Sequence, residues 1–389
     1  MWFFNSPQIV FGEGALSYLA ELKGRRACIV TDDTLVQLGH LERLKVELAP
    51  AGLVLQVFDE VEPDPSLETV RKGAGVLQEF QPDWIIALGG GSVMDAAKAM
   101  WVLYERPEYT PEAINPLETL GLRSKARFVA VPTTAGTGSE ATWAIVLTDK
   151  SERRKLALGN REAVPDLAIL DPEMVKDMPP RLTADTGLDV LTHAVEGFSC
   201  AWNNVFSDGM CLQAAHMVFD YLPRSYRAGD DIEARIAMQN AAAIAGLGFG
   251  NANAALAHGM GHTLGAIFHV PHGRAVGLFL PYTIEYCIQG DLGSARYVPL
   301  AHSLDLRADS EQEAAANLVT AIRDLETSVG QPQSIRDCGI TRDEFERELD
   351  LLVENALNDT TTLMSTRIPD DEEMRQLFLN CYEGTPIDF

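Results

Sequence analysis

The stretch "DWIIALGGGSVMDAAKAM", residues 83–100, decides how the first half of the chain folds. Trp84 to Leu88 form a short apolar run of the length and β-rich composition of a buried strand. Gly89, Gly90, Gly91 and Ser92 follow, and then alanines and methionines at helical spacing. A strand that turns through glycines into a helix suits a phosphate. Backbone N–H groups can approach it closely, the helix N-terminus adds partial positive charge, and Ser92 can add a hydroxyl donor. The spacing is not G-x-G-x-x-G, and no G-K-[ST] follows, so neither the standard dinucleotide fingerprint nor a Walker loop is present. The plain alternative is a tight strand-to-helix turn.

Outward from this stretch the pattern repeats. "RACIVT" (26–31), "LVLQVF" (53–58) and "FVAVP" (128–132) read as buried strands, and "TVRKGAGVLQEF" (69–80) as an intervening helix. Such alternation predicts an α/β domain with a mostly parallel sheet. From about Pro180 the β-runs give way to segments at helical spacing, among them "TADTGLDVLTHAVEGFSC" and "IEARIAMQNAAAIAGLG". Pro179 and Pro180 break the chain, and Thr183 or Asp185 is placed to cap the next helix. The expectation is therefore an α/β domain over residues 1–180 and an all-helical domain over 181–389, with no internal repeat.

Two further features of the first half suit a cofactor. "VPTTAGTGSEAT" (131–142) follows a predicted strand and is crowded with hydroxyls and glycines, as a loop at the carboxyl end of a sheet would be. Asp32 ends an early strand, where a carboxylate can accept from a ribose 2′-hydroxyl and would repel a 2′-phosphate, favouring NAD over NADP. An aspartate in that place also serves as an ordinary turn residue.

Composition narrows the class. The chain has 389 residues, 46% apolar and 22% charged, and a net charge of −25, which argues against nucleic acid or an anionic membrane surface as partner. Its six cysteines contain no C-x-x-C pair and read as reduced thiols. "MWFFNSPQIVFG" shows no basic region ahead of a long apolar run, so no signal peptide is expected. The run "AAAIAGLGFGNANAALA" (241–257) is too short and interrupted to span a bilayer; its small residues suit close helix packing. A cytoplasmic enzyme is the expectation.

"LAHGMGHTLGAIFHVPHG" (256–273) holds four of the eight histidines. His258 and His262 sit four apart, as in H-E-x-x-H, but Gly259 stands where a peptidase would carry its glutamate. Asp189 and His193 show the same spacing on a predicted helix and so share a face, while His272 lies in a loop-like setting. One carboxylate with several imidazoles suits a divalent transition metal such as iron or zinc. Spacing alone does not rank His269 against His272.

In combination, "GGGSVMDAAKAM", "PTTAGTGSEAT", "AILDPEM", "TADTGLDVLTHAVEGF", "LAHGMGHTLGA" and "VPHGRAVGLFLP" closely resemble the iron-containing alcohol dehydrogenase family, over residues 5 to 380. The resemblance implies a dehydroquinate synthase-like fold, with an N-terminal domain for a nicotinamide dinucleotide and C-terminal helices for the metal. Position by position, it implies Asp189, His193, His258 and His272 as metal ligands, with His262 beside the site. It implies Gly90, Gly91, Ser92 and Asp95 around the pyrophosphate, Thr133, Thr134 and Thr137 in a second cofactor loop, Lys155 as a cofactor contact and Asp32 beside the ribose. His269 has no family role. The chain departs from the family at "PDP" around Asp64, at Ser365-Thr366-Arg367 in place of Asn-Pro-Arg, and at the bulky, apolar Trp143-Ala144-Ile145. Residues 100–125 resemble the alcohol-dehydrogenase half of bifunctional aldehyde–alcohol dehydrogenases.

The expected activity is reversible, NAD(H)-linked oxidation of a primary alcohol of short-to-medium apolar chain to an aldehyde. Fe2+ is the expected ion, with Zn2+ an alternative, and His262 is the proton relay. The partners expected are the small alcohol or aldehyde and further copies of the chain, as a homodimer or larger. A dehydroquinate synthase-like lyase would need several cations for an anionic substrate, and only Arg274 lies near the proposed ligands in sequence. A non-catalytic scaffold is disfavoured by the intact ligand and cofactor positions.

Overall fold

The computed structural model describes residues 3–389. Met1 and Trp2, which begin the stretch inspected for a signal peptide, lie outside the described residues. The chain divides into two compact units, one ending at Met178 and the other running Pro179–Phe389.

The first unit contains strands β1 (Gln8–Phe11), β2 (Arg26–Val30), β3 (Val54–Phe58), β4 (Trp84–Gly89), β5 (Arg127–Pro132), β6 (Ala144–Asp149), β7 (Arg154–Gly159) and β8 (Leu167–Leu170). Its helices are α1 (Asp33–Gln37), α2 (His40–Leu48), α3 (Leu67–Phe80) and α4 (Gly91–Glu105). Six strands form one sheet in the order β1-β8-β5-β4-β2-β3, every pairing parallel, while β6 and β7 make a separate antiparallel hairpin. The sheet is apolar on both faces. Cys28, Val30, Ile85 and Ala87 pack towards α3 and α4, whereas Ala27, Ile29, Ile86 and Leu88 pack with Leu41, Leu44 and Leu48 of α2. Covering both faces is what allows a parallel sheet in water.

The chain leaves β2 towards β3 on one side and continues from β4 to β5 and β8 on the other. The strand order therefore reverses between β2 and β4, and crevices for ligands form outside the carboxyl ends of strands at such a point. The turn after β4 is the quoted glycine stretch, and Asp32 follows β2. Four-residue β1 and β8 are too short for the sequence pattern to announce them, and the six-residue strands β6 and β7 mix apolar with polar and charged residues such as Asp149, Arg154 and Lys155, so they do not read as buried runs.

The second unit is helical: α5 (Pro180–Ser199), α6 (Val205–Arg227), α7 (Ile232–Gly250), α8 (Leu256–Phe268), α9 (His272–Cys287), α10 (Val298–Ser303), α11 (Glu311–Ser328), α12 (Arg342–Asn358) and α13 (Asp371–Glu383). The fold class expected from the sequence is the one observed, a parallel α/β part followed by a helical part.

The start of α5 differs from the expectation. It begins at Pro180, with Pro179 as its N-cap, so Thr183 and Asp185 lie inside the helix instead of capping it. Proline at the first helical position has no N–H to leave unsatisfied and its φ already suits the helix. The Thr183 hydroxyl instead donates to Pro179 O at 3.1 Å, and Asp185 accepts from Arg274 at 2.9–3.0 Å. The glycine-rich run on α7 does bring helices close: a Cβ at Gly248 would sit 2.6 Å from Cys211 Sγ on α6.

Among the described residues, no helix is long and apolar enough to cross a membrane. The six cysteines are all free thiols.

Candidate metal centre and cofactor loops

Helix α5 carries a buried polar stripe. Its hydroxyls are satisfied on the helix itself, Thr192 donating to Leu188 O at 2.8 Å and Ser199 to Val195 O at 2.9 Å. Asp189, His193 and Glu196 recur at offsets of four and three and therefore face one direction. Opposite them α8 presents His258, and α9 presents His272 as its first residue. His272 is thus helical rather than in a loop, because Pro271 stops the preceding segment and starts the next helix. His269 ends α8 in the left-handed conformation (φ 57°), so its part is that of a helix terminator.

One ligand atom each from Asp189, His193, His258 and His272 lie within 4.8 Å of one another. Asp189 Oδ1 is 3.6 Å from His193 Nδ1, 3.4 Å from His272 Nε2 and 4.0 Å from His258 Nε2. The Nε2 atoms of His193 and His258 face each other at 3.0 Å. Burial, followed by the neighbouring His258 and His262, pushes the His193 imidazole well below its ordinary pKa, so its ring is neutral. His258 Nδ1 points at the Glu196 carboxylate, 2.6 Å away, and donates to it. That commits the hydrogen of a neutral His258 ring to Nδ1 and leaves a lone pair on Nε2. Nitrogen lone pairs and a carboxylate oxygen converging in a buried space match the donor set of a divalent transition ion. The residues present fit such an ion. Phe249 stacks on the His193 ring with centroids 3.9 Å apart and planes 10° apart, holding its orientation.

His262 lies against this group, its ring centroid 5.4 Å from that of His272 and 5.8 Å from that of His258. Its Nδ1 is 2.8 Å from Asp359 Oδ2. Burial would raise the Asp359 carboxyl, but the His262 ring and the Thr361 hydroxyl and N–H outweigh it and hold the group below the ordinary range. An ionised Asp359 accepts the Nδ1 hydrogen of His262, leaving Nε2 to exchange a proton.

Gly259 has a packing reason. A Cβ there would overlap Thr362 Oγ1 and lie 3.3 Å from Thr362 Cβ. The position of the peptidase glutamate is therefore closed to any side chain.

In the first unit, Asp32 caps α1, its Oδ1 accepting from Leu35 N at 2.9 Å. The two candidate loops abut. A Cβ on Gly90 would sit 3.2 Å from Thr134, and one on Gly91 only 2.6 Å from Thr137, so both glycines are set by close approach of the threonine loop. Thr133 is buried and its N–H donates to Gly89 O at 3.0 Å. Ser92 Oγ accepts from Asp64 N at 3.3 Å.

Two of the expected cofactor residues are engaged within the protein. Asp95 accepts from Ser139 Oγ at 2.7 Å and from Val146 N at 2.9 Å, and so pins the second loop and the hairpin to α4. Lys155 Nζ lies 2.6 Å from Asp64 Oδ1. Beneath them Lys98, fully buried, donates to Ser139 O and Ser139 Oγ at 2.7 Å and to Ala144 O at 3.0 Å.

The sequence reading missed Glu196, Asp359, Lys98 and Phe249. Glu196 was within reach, since it follows His193 by three on a helix already assigned. Asp359 carries no local signal that joins it to His262.

Comparison with known proteins places the chain. The family described as iron-containing alcohol dehydrogenase matches residues 6–172, and its C-terminal counterpart matches residues 183–382. The chain belongs to this family and is an oxidoreductase of the alcohol dehydrogenase class. It is 39% identical over 389 residues to the NADPH-dependent butanol dehydrogenase of Clostridium saccharobutylicum, with 99% of each chain covered. It is 40% identical to the bifunctional aldehyde-alcohol dehydrogenase AdhE of Escherichia coli K12, aligning 92% of this chain with 43% of that protein. Among solved structures, an iron-containing alcohol dehydrogenase from Thermococcus thioreducens superposes with a TM-score of 0.89 at 31% identity, covering 99% of this chain and 100% of that one.

Proposed function

We propose that this protein interconverts primary alcohols of short-to-medium apolar chain and their aldehydes, using NAD(H) and a divalent metal, Fe2+ or Zn2+. The observation that carries the reading is the meeting of Asp189, His193, His258 and His272 within 4.8 Å, from three helices. These four residues would hold the ion. When bound, it supplies a Lewis acid for the alcohol oxygen, which lowers the cost of deprotonating the substrate.

The protein's own residues do the rest. His262, held through Nδ1 by Asp359, takes the hydroxyl proton at Nε2 and returns it in the reverse direction. Gly90, Gly91 and Ser92 offer N–H and hydroxyl donors at the start of α4 for the pyrophosphate, with Thr133, Thr134 and Thr137 beside them. Asp95 and Lys155 act on this cofactor site through Ser139 and Asp64, as supports of its loops. Asp32 has one carboxylate oxygen committed to Leu35 N and the other able to accept from a ribose hydroxyl. Its charge opposes a 2′-phosphate, which supports NAD although the Clostridium relative is named for NADPH. The bulky, apolar Trp143 supports an apolar substrate chain, as does the butanol dehydrogenase name of that relative.

The test is purified protein loaded with Fe2+ or Zn2+, with NADH formation followed by absorbance on C2 to C6 primary alcohols. Turnover that depends on metal and rises with chain length is expected. No turnover with either ion across the series refutes the reading. A cytoplasmic homodimer or larger assembly goes with it, and light scattering on the purified protein tests the assembly.

A further inference from the structure

Helix α8 begins without a cap of its own. Its N-cap residue is Ala255, which has no side-chain acceptor, and the first-turn N–H groups of a helix need partners from elsewhere. Glu196, on α5, supplies them. Its Oε2 accepts from Ala255 N at 2.8 Å and its Oε1 from Ala257 N at 2.5 Å. The same Oε2 accepts from His258 Nδ1 at 2.6 Å. Glu196 is only 4% exposed, so water does not compete for these donors.

We propose that Glu196 is the positioning residue of the metal centre: one buried carboxylate fixes the first turn of α8 and the ring of His258 together, and so couples the formation of that helix to metal occupancy. The inference rests on the metal-centre reading above. His258 is the third residue of α8, within its first turn, and its ring folds back onto the group that caps the helix. Three consequences follow from that geometry. The Nδ1–H···carboxylate bond selects the tautomer whose Nε2 is a ligand, and it prevents rotation of the ring about its Cβ–Cγ bond. Negative charge relayed through the imidazole raises the basicity of Nε2, so the ring binds a cation more strongly. Finally, the carboxylate lies at the positive end of the α8 dipole, so that the helix and the ligand stabilise the same anion.

Asp359 orients His262 but takes its backbone bond from Thr361, which is outside α8, and Phe249 touches the His193 ring only by stacking. Outer partners of metal-bound histidines are generally worth about 10- to 100-fold in metal affinity.

Glu196→Gln tests this. The amide is nearly isosteric but turns one oxygen into a donor, so one of the three bonds is lost if the nitrogen replaces Oε1 and two if it replaces Oε2, and the charge is removed in either case. With the full-length protein loaded with Zn2+, transfer of the ion to a chromophoric chelator gives affinity and release rate. Melting with and without Zn2+ gives the metal-induced stabilisation. We expect affinity to fall about 10- to 100-fold and the metal-induced rise in Tm to shrink. Glu196→Asp, which keeps the charge but is one methylene too short to span all three donors, should fall between Gln and wild type. A variant whose metal-free Tm drops while its Zn2+ affinity stays within about twofold of wild type would show a structural role only, and would overturn the proposal.

If Glu196→Gln does not fold, hydrogen exchange on the wild type decides. The Ala255 and Ala257 amides should become more protected when Zn2+ binds, and unchanged protection overturns the coupling. A wild type that takes up no divalent ion refutes the metal-centre reading itself, an outcome distinct from normal binding by both wild type and variant.

Discussion

Gly259→Ala should destabilise the helical unit, although alanine is the better helix former. The position lies between His258 and His262 on α8, and the added methyl would overlap the Thr362 hydroxyl while lying 3.3 Å from Thr362 Cβ and 3.4 Å from Thr362 N. Thr362 is fully buried and its hydroxyl donates to Ala356 O at 2.7 Å, so it has no free direction in which to retreat. Overpacking of this kind costs about 1–3 kcal/mol, and breaking the Thr362–Ala356 bond adds roughly 1 kcal/mol. The gain in helix propensity offsets about 1 kcal/mol, which leaves a net loss of about 1–3 kcal/mol. At roughly 2–4 °C per kcal/mol for a unit of this size, Tm should fall by about 2–12 °C. The assay is thermal unfolding of the metal-free protein by circular dichroism, at one scan rate for all variants. Thr362→Ala removes the clashing oxygen at the expense of its hydrogen bond, so the double variant should be more stable than the sum of the two single changes by at least about 1 kcal/mol. A Gly259→Ala protein as stable as wild type, or a cycle with no coupling, would refute the argument that Thr362 closes this position.

Three other changes probe different parts of the molecule. His262→Ala should leave metal content unchanged and lower turnover by roughly 100-fold or more, the usual contribution of a positioned proton carrier; loss of metal measured by elemental analysis would make His262 a ligand instead. Asp32→Gly should raise kcat/KM for NADP+ relative to NAD+, because the carboxylate that opposes a 2′-phosphate is gone, and an unaltered ratio would place the discriminating group elsewhere. Burial pushes the Glu140 carboxyl from its ordinary 4.5 up to about 7, Lys98 only partly opposing the shift. A raised folded pKa means that the native state holds the proton more tightly, so the contribution is complete below about pH 4.5 and lost as pH rises through about 7. Glu140→Gln should therefore gain on wild type by an amount on the order of 3 kcal/mol between pH 4.5 and 7.5, read as a relative shift in urea midpoint; parallel curves would exclude the titration.

Much of the architecture was legible because it depends on local pattern. Apolar runs such as Ile85 to Leu88 can be satisfied only when covered on both faces, and the glycines after them only in a turn that approaches something closely. What they approach was not legible: the partners of Gly90 and Gly91 are threonine side chains at 134 and 137. The start of α5 misled the reading because Thr183 and Asp185 have capping chemistry, yet Pro180 satisfies the helix start without them.

The sequence by itself determined the family, the alternation that makes a parallel sheet, and the residue types of a candidate metal site, since these reside in spacing and side-chain chemistry. Only the tertiary structure decided which polar groups serve one another. Glu196 reaches His258 and Asp359 reaches His262 because α5, α8 and the segment after α12 pack together, and no periodicity along the chain encodes a contact between such distant residues. It also decided that Asp95 and Lys155 hold loops in place, for a carboxylate or ammonium buried beside donors or acceptors must bond to them or leave them unsatisfied. Gly259 joins both kinds of knowledge. The sequence showed that the peptidase glutamate was missing, and the packing of Thr362 against that position shows why it had to be.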